Sequence, residues 1–253
     1  MTMASFTRPF IRVAAAVMLS LSAAGCANTP DGQDGAGISD PIEPVNRIIF
    51  GFNDAADTIL LRPAAEVYVA VAPDPVREAV HSFIRNLVSP LVIANNLLQG
   101  DLEGAQVATG RMLTNTILGV GGLFDVASVA GMKDEEEDFG QTLGVWGLGS
   151  GPYVVLPLFG PSSVRDATGL AVDTVADPLR VWAYANDSKN VLYVRTGVSA
   201  IDRRSQVLKQ VDDLKRNSLD YYAAVRSLYA QQRRAQINDN KTDAAPEFPV
   251  FGN

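Results

Sequence analysis

Residues 139–164 read FGQTLGVWGLGSGPYVVLPLFGPSSV, a run without a single charge that carries six glycines and three prolines. It is too apolar for a surface loop and too often interrupted for a helix. Two other stretches share this character. Residues 86–100 (NLVSPLVIANNLLQG) are uncharged, and residues 112–132 (MLTNTILGVGGLFDVASVAGM) contain only Asp125. Each is long enough to interest a bilayer, whose hydrocarbon core takes ~20 apolar residues as a spanning helix. Pro90, the Gly119, Gly121 and Gly122 group, and the glycines and prolines of 139–164 would however free backbone polar groups, and hydrocarbon cannot satisfy them. Such backbone survives only when buried in protein or facing a cavity. Two readings stay open: the interior of an ordinary core, or the lining of a path at a membrane with helices around it.

Outside these stretches the patterning is helical. Val45, Ile48, Ile49 and Phe52 share one helical face, as do Val76, Val80, Phe83, Ile84 and Leu87 behind Pro75 at an early helical position. Asp101 is placed to cap a helix through Val107, Met112 and Ile117, and Ser163 with Asp166 has the form of a capping box before Leu170 and Val172. Residues 188–234 predict two long amphipathic helices broken near Asn217 and Ser218. Within them Tyr222, Val225, Arg226 and Tyr229 fall on one face, either packed inward or exposed as an interfacial aromatic anchor. Alternating β-branched runs between turn signals are hardly found, so the fold is predicted to be mostly α.

The chain has 253 residues, enough for one large domain or two modest ones, with 47% hydrophobic residues, 19% charged and a net charge of −7. The acidic balance, with no basic stripe, excludes nucleic acid as a partner. At the amino terminus Arg8 and Arg12, the apolar core VAAAVMLSL and the small residues SAAG form a secretory signal over 1–25. Cys26, the only cysteine, follows directly, where a lipoprotein signal peptidase would leave it as the first, lipidated residue. Residues 26–40 are polar and glycine-rich and read as a flexible tether, residues 41–235 as the helical domain, and residues 236–253 as a weakly ordered tail.

No catalytic motif is present. His81 is the only histidine, on a helical pattern near Arg77, Glu78 and Arg85, and GLGSGP around Ser150 misses the nucleophile-elbow spacing because Leu148 and Pro152 occupy its flanking positions. The run DEEED at 134–138 lacks the alternating ligands and central glycine of a calcium loop and reads as a solvated acidic turn. No metal, cofactor or catalytic residue is expected.

Several segments together carry a resemblance: DPIEPVNRIIFGFN (40–53), NNLLQGD (95–101), TNTILGVGGLFDVA (114–127), FGQTLGVWGLGSGPYVVLPLFGPSSVRD (139–166) and DPL (177–179). In these the chain resembles the MlaA/VacJ family of outer-membrane lipoproteins. The resemblance implies an all-α, ring-like helical domain with a central amphipathic channel, lying in the inner leaflet of the outer membrane, lipid-anchored at its periplasmic face. It implies trimeric outer-membrane porins and a periplasmic lipid carrier protein (MlaC-like) as partners, and removal of mislocalised phospholipid from the outer leaflet as the function. A structural porin-associated lipoprotein without transport activity, and a lipid hydrolase built on His81 and Ser150, are the alternatives. By position, the expected polar contacts of the path are Asn115, Asp125, Tyr153, Arg165 and Asp166. Gly119, Gly121 and Gly122 are expected to form a gate-like turn, and Gly151 to line the channel.

Overall fold

The computed structural model describes residues 37–238. The signal segment, Cys26, nearly all of the tether and the tail beyond Asn238 lie outside the described residues. Among the described residues, helices α1 (Glu43–Ala56) and α2 (Arg62–Val71) are joined by a π-helical turn (Asp57–Leu61). Then follow α3 (Asp74–Gln99), α4 (Leu102–Ile117), α5 (Val126–Val129) and α6 (Phe139–Val145). An antiparallel hairpin, β1 (Tyr153–Leu156) and β2 (Gly160–Ser163), precedes α7 (Val164–Ala176), α8 (Pro178–Ala185), α9 (Asn190–Gln206), α10 (Leu208–Asn217) and α11 (Tyr221–Ile237).

The packing closes on itself. Helix α3 lies against α6, α6 against α7, α7 against α8, α8 against α9, and α9 returns to α3. This circuit of five helices is the ring-like, predominantly helical fold. Helix α4 packs on α3, α2 on α9, and α11 on α6 and β2.

Caps set several helix starts. Asp101 accepts from Gly104 N at 2.9 Å, Asp138 from Gln141 N at 2.9 Å, and Ser163 Oγ from Asp166 N at 3.1 Å. The last is half of the expected capping box, since the Asp166 carboxylate turns to other partners.

Three segments differ from the sequence-based expectation. Residues 139–164 are not irregular throughout: they form α6 and the hairpin. The hairpin's backbone is completed by side chains of α1. Asn46 donates to Tyr153 O at 3.0 Å and accepts from Val155 N at 2.9 Å; Asn53, two helical turns on, donates to Leu156 O at 2.9 Å and accepts from Leu158 N at 2.7 Å. Two asparagines thus stand where a third strand would pair, which removes an open edge. Pro90, expected to free backbone polar groups, lies inside α3. Proline removes one ladder bond rather than the whole ladder, and the neighbouring Ser89 hydroxyl donates to Arg85 O at 3.2 Å. Finally, residues 188–234 hold three helices rather than two, with a break at Val207 as well as at 218–220.

The hydrophobic cluster is small: Ile38, Tyr153, Val155, Tyr222 and Ala230, with Ile49, Phe50 and Tyr229 against it. Ile38 places the start of the packed fold before Pro41, and α11 continues past Gln236. Tyr222 and Tyr229 pack their rings on Tyr153, so their helix face turns inward and is no interfacial anchor.

Candidate functional site

Burial in this protein is inverted. Among the described residues, buried polar and charged side chains outnumber buried hydrophobic ones, while large apolar residues lie exposed along most elements. Ile48, Phe52, Ile59, Leu60, Val67 and Val71 are exposed on α1 to α2, Leu118, Val120 and Phe124 on the turn after α4, Leu158 and Phe159 at the hairpin tip, and Trp182, Tyr184 and Tyr193 on α8 to α9. Exposed apolar surface on this scale marks contact with a membrane or a partner.

One thread of polar contacts runs from Asn115 to Arg165; its ends are buried, while Asp134 and Glu136 in its middle are exposed. Asn115 on α4 donates to Asp125 Oδ1 at 3.0 Å and accepts from Ala127 N at 2.9 Å. Asp125 also takes both Ser128 donors and the Arg111 guanidinium at 3.0 Å. Burial acts to raise its pKa, but these donors outweigh it and hold the carboxyl at about 2. Arg111 reaches Asp134 at 3.4 Å, and Arg85 pairs with Asp134 at 2.7 Å and with Glu136. From there Gln141 bonds Glu136 O and Asp138, Asp138 pairs with Arg233 at 2.7 Å, Arg233 with Asp166 at 3.0 Å, and Asp166 with Arg165 at 2.8 Å. Tyr229 donates to the same Asp166 carboxylate. A branch runs through Asn95, whose Oδ1 accepts from Thr142 at 3.0 Å and whose amide donates to Asp173 at 3.2 Å.

Asp138, Ser162, Asp166, Asp173, Tyr229 and Arg233, with Pro161 and Leu170, line a crevice of about 200 Å³ along this thread. Burial would raise Asp166, but Arg233, Tyr229 and Arg165 bring it down to about 2; Asp173, which lacks an arginine partner of its own, is pushed up by burial. A separate groove of about 450 Å³ between α3 and α4 is mostly apolar, lined by Ile93, Leu97, Leu102, Ala105 and Leu113 with Gln106, Thr109 and Gly110.

Of the residues singled out in the sequence, Asn115 and Asp125 stand at one end of the thread and Arg165 and Asp166 at the other. Tyr153 is not on it: its ring is fully buried in the hydrophobic cluster, and burial raises its phenol. Gly151 lies before β1 with φ +67°, where a Cβ would touch that of Val164 at 3.4 Å. The glycine turn is tightly bonded, with Gly121 N to Thr116 O at 2.9 Å, Gly122 N to Asn115 O at 2.8 Å and Phe124 N to Gly119 O at 3.0 Å. A Cβ on Gly119 would sit 2.1 Å from Phe124 O and one on Gly122 2.6 Å from Asn86, so both permit close approach; only Gly121, at φ +73°, faces open space.

In the acidic run at 134–138, Asp134, Glu136 and Asp138 pair with arginines while keeping much of their exposure, and Glu137 is buried and accepts from Gln99. His81 lies against Asp202 and Gln206, while the Ser150 carbonyl accepts from Arg165 N, so the serine and histidine required for a hydrolase are not brought together. Sequence reasoning missed Arg85, Asn95, Arg111 and Arg233. The one visible signal was the asparagine pair inside an otherwise apolar run.

A ring-like, predominantly helical fold that buries polar and charged side chains and exposes apolar faces defines a class: proteins that meet a membrane or a partner through those faces. Within that class, the MlaA lipoprotein family model matches residues 38–236, and the chain belongs to the MlaA family. The MlaA lipoprotein of the intermembrane phospholipid transport system of Escherichia coli is 37% identical over 226 residues, 88% of this chain and 87% of that protein. Its Haemophilus influenzae counterpart is 31% identical over 229 residues, 89% and 90% of the two chains. An uncharacterized protein of Rickettsia bellii is 37% identical over 211 residues, 83% and 81%. A solved structure, reported as the structural basis for maintenance of bacterial outer membrane lipid asymmetry, matches with a TM-score of 0.67 at 37% identity, covering 79% of this chain and 100% of that one.

Proposed function

We propose that the protein is a lipoprotein of the outer membrane, anchored through Cys26, that takes phospholipid out of the outer leaflet through a passage bounded by the helical circuit and hands it to a periplasmic carrier. The observation that carries this reading is the inverted burial. A phospholipid has a charged headgroup and two acyl chains, and its path must offer polar partners to the one while leaving the others in an apolar setting. The thread from Asn115 and Asp125 to Arg165 and Asp166 supplies the polar partners. The exposed apolar faces and the α3–α4 groove supply the apolar setting, with the helices lying in the leaflet. No described helix is long and apolar enough to cross a membrane, which accords with such placement. Trimeric porins fit as partners for the apolar outer faces.

The family relationship supports the same function, since the relatives named above belong to an intermembrane phospholipid transport system. A deletion strain is expected to accumulate phospholipid in the outer leaflet and to lose resistance to detergent, with recovery on re-expression of the full chain. Normal outer-leaflet phospholipid in a clean deletion would overturn the proposal. Scaffolding of porins without transport is separated by a variant carrying Asn115→Leu and Asp125→Leu, which is expected to keep porin association and lose lipid removal.

A further inference from the structure

A second polar cluster lies away from the thread, where α2, α3 and α9 meet. Arg77 and His81 are four residues apart on α3 and so share a face. His81 Nδ1 is 2.9 Å from Asp202 Oδ2 and 2.7 Å from Gln206 Nε2, both on α9, and Gln206 also donates to Asp202 at 3.0 Å. The Asp202 side chain is only 3% exposed, whereas His81 is 37% exposed, so the carboxylate is the buried support and the ring faces outward. The Tyr68 hydroxyl of α2 lies in the field of both Asp202 and Arg77; burial raises its pKa and keeps it protonated. One arm of the Arg77 guanidinium pairs with the exposed Asp74. Its Nε, like the Tyr68 hydroxyl, is buried without a hydrogen-bond partner among the described residues.

A histidine on a carboxylate can simply tie two helices together. The unbonded donors ask for more. Arginine Nε donates and never accepts, so only an acceptor satisfies it, and a buried donor left unmade costs about 1–3 kcal/mol. We propose that Tyr68, Arg77 and His81 form a niche for a phosphate group, with Asp202 and Gln206 positioning the imidazole so that its free edge faces the ligand. The phosphate belongs to a lipid headgroup or to a free phosphate; the lipid case rests on the transport reading, and the free-ion case does not.

His81 is the only histidine of the chain, so histidine-specific ¹⁵N labelling of the full chain in detergent gives a single imidazole signal. That signal is titrated with inorganic phosphate and, separately, with dihexanoyl phosphatidylglycerol below its micellar concentration. A saturable shift with the lipid alone establishes a headgroup niche, and a saturable shift with both establishes a phosphate niche indifferent to source. In either case Arg77→Gln and Tyr68→Phe are each expected to weaken binding about tenfold, the scale of one hydrogen bond to a charged group. No shift with either ligand at millimolar concentration, or an undiminished shift in both variants, overturns the niche. Circular dichroism and the retained His81 signal report folding, and Tyr68→Phe, which removes one oxygen, carries the test should Arg77→Gln unfold. The deletion strain reads the transport function independently of this titration.

Discussion

Arg233 and Asp166 show how single side chains hold this interior together. Arg233 joins α11 to the carboxylates of Asp138 on the loop before α6 and Asp166 on α7; burial acts to raise both, and Arg233 is the largest of the contacts that lower them below the usual carboxylate range. Truncation in Arg233→Ala would leave the half-exposed Asp138 without its arginine and the buried Asp166 with Arg165 alone, a milder case of the broken buried pair that costs about 3–5 kcal/mol. A loss near the low end of that range in urea unfolding, with α11 exchanging its amides first, is the expected result. Acid should act through the same group. An unfolded aspartate takes its proton near pH 3.9, whereas Asp166 in the fold does so only at about 2. The folded form therefore binds fewer protons, and the stability this group contributes is present above about pH 4 and lost as pH falls toward 2. Asp173, raised by burial, works in the opposite sense. Asp166→Asn should accordingly flatten the stability profile over that acid range relative to the parent protein.

The elements show which signals the sequence displayed and which it hid. The caps at Asp101 and Ser163 were legible because capping is local chemistry, decided within three residues. Pro90 was read as freeing backbone polar groups in an uncharged stretch, and packing against α4, α6 and α9 carries helix α3 through that one missing bond. The hairpin at 153–163 was invisible because its pairing is completed by Asn46 and Asn53, about a hundred residues earlier. Replacing Pro90 by alanine would restore a donor for the Asn86 carbonyl and is expected to raise the melting temperature; no rise would show that tertiary contacts already offset the missing bond. In the turn after α4, Gly119→Ala must displace the Phe124 carbonyl, while Gly121→Ala meets no atom and adds only the cost of a left-handed backbone, about 1–2 kcal/mol. Thermal melts should therefore rank Gly119→Ala as the more damaging, and a reversed order would mean that the turn rearranges.

At the scale of the whole molecule, the long uncharged stretches were readable as either core or passage, and the proposed function takes the second reading from the contact circuit and the polar thread along it. Residue identities alone did not reveal the thread, because Arg85, Arg111 and Arg233 lie in separate amphipathic helices where each reads as an ordinary surface charge. Its ends, at Asn115 with Asp125 and at Arg165 with Asp166, were marked because they interrupt apolar or glycine-rich sequence. The central claim, that headgroups follow the thread while acyl chains meet the outer faces, is tested by photocrosslinking the protein in outer membrane with two phospholipid probes, one reactive in the headgroup and one at the chain end. Mass spectrometry of the adducts should place the headgroup probe on α6, α7 and α11 around Gln141, Asp166 and Arg233, and the chain probe on Ile59, Leu60 and Val71. Headgroup adducts confined to those outer apolar residues, with none along the thread, would contradict it.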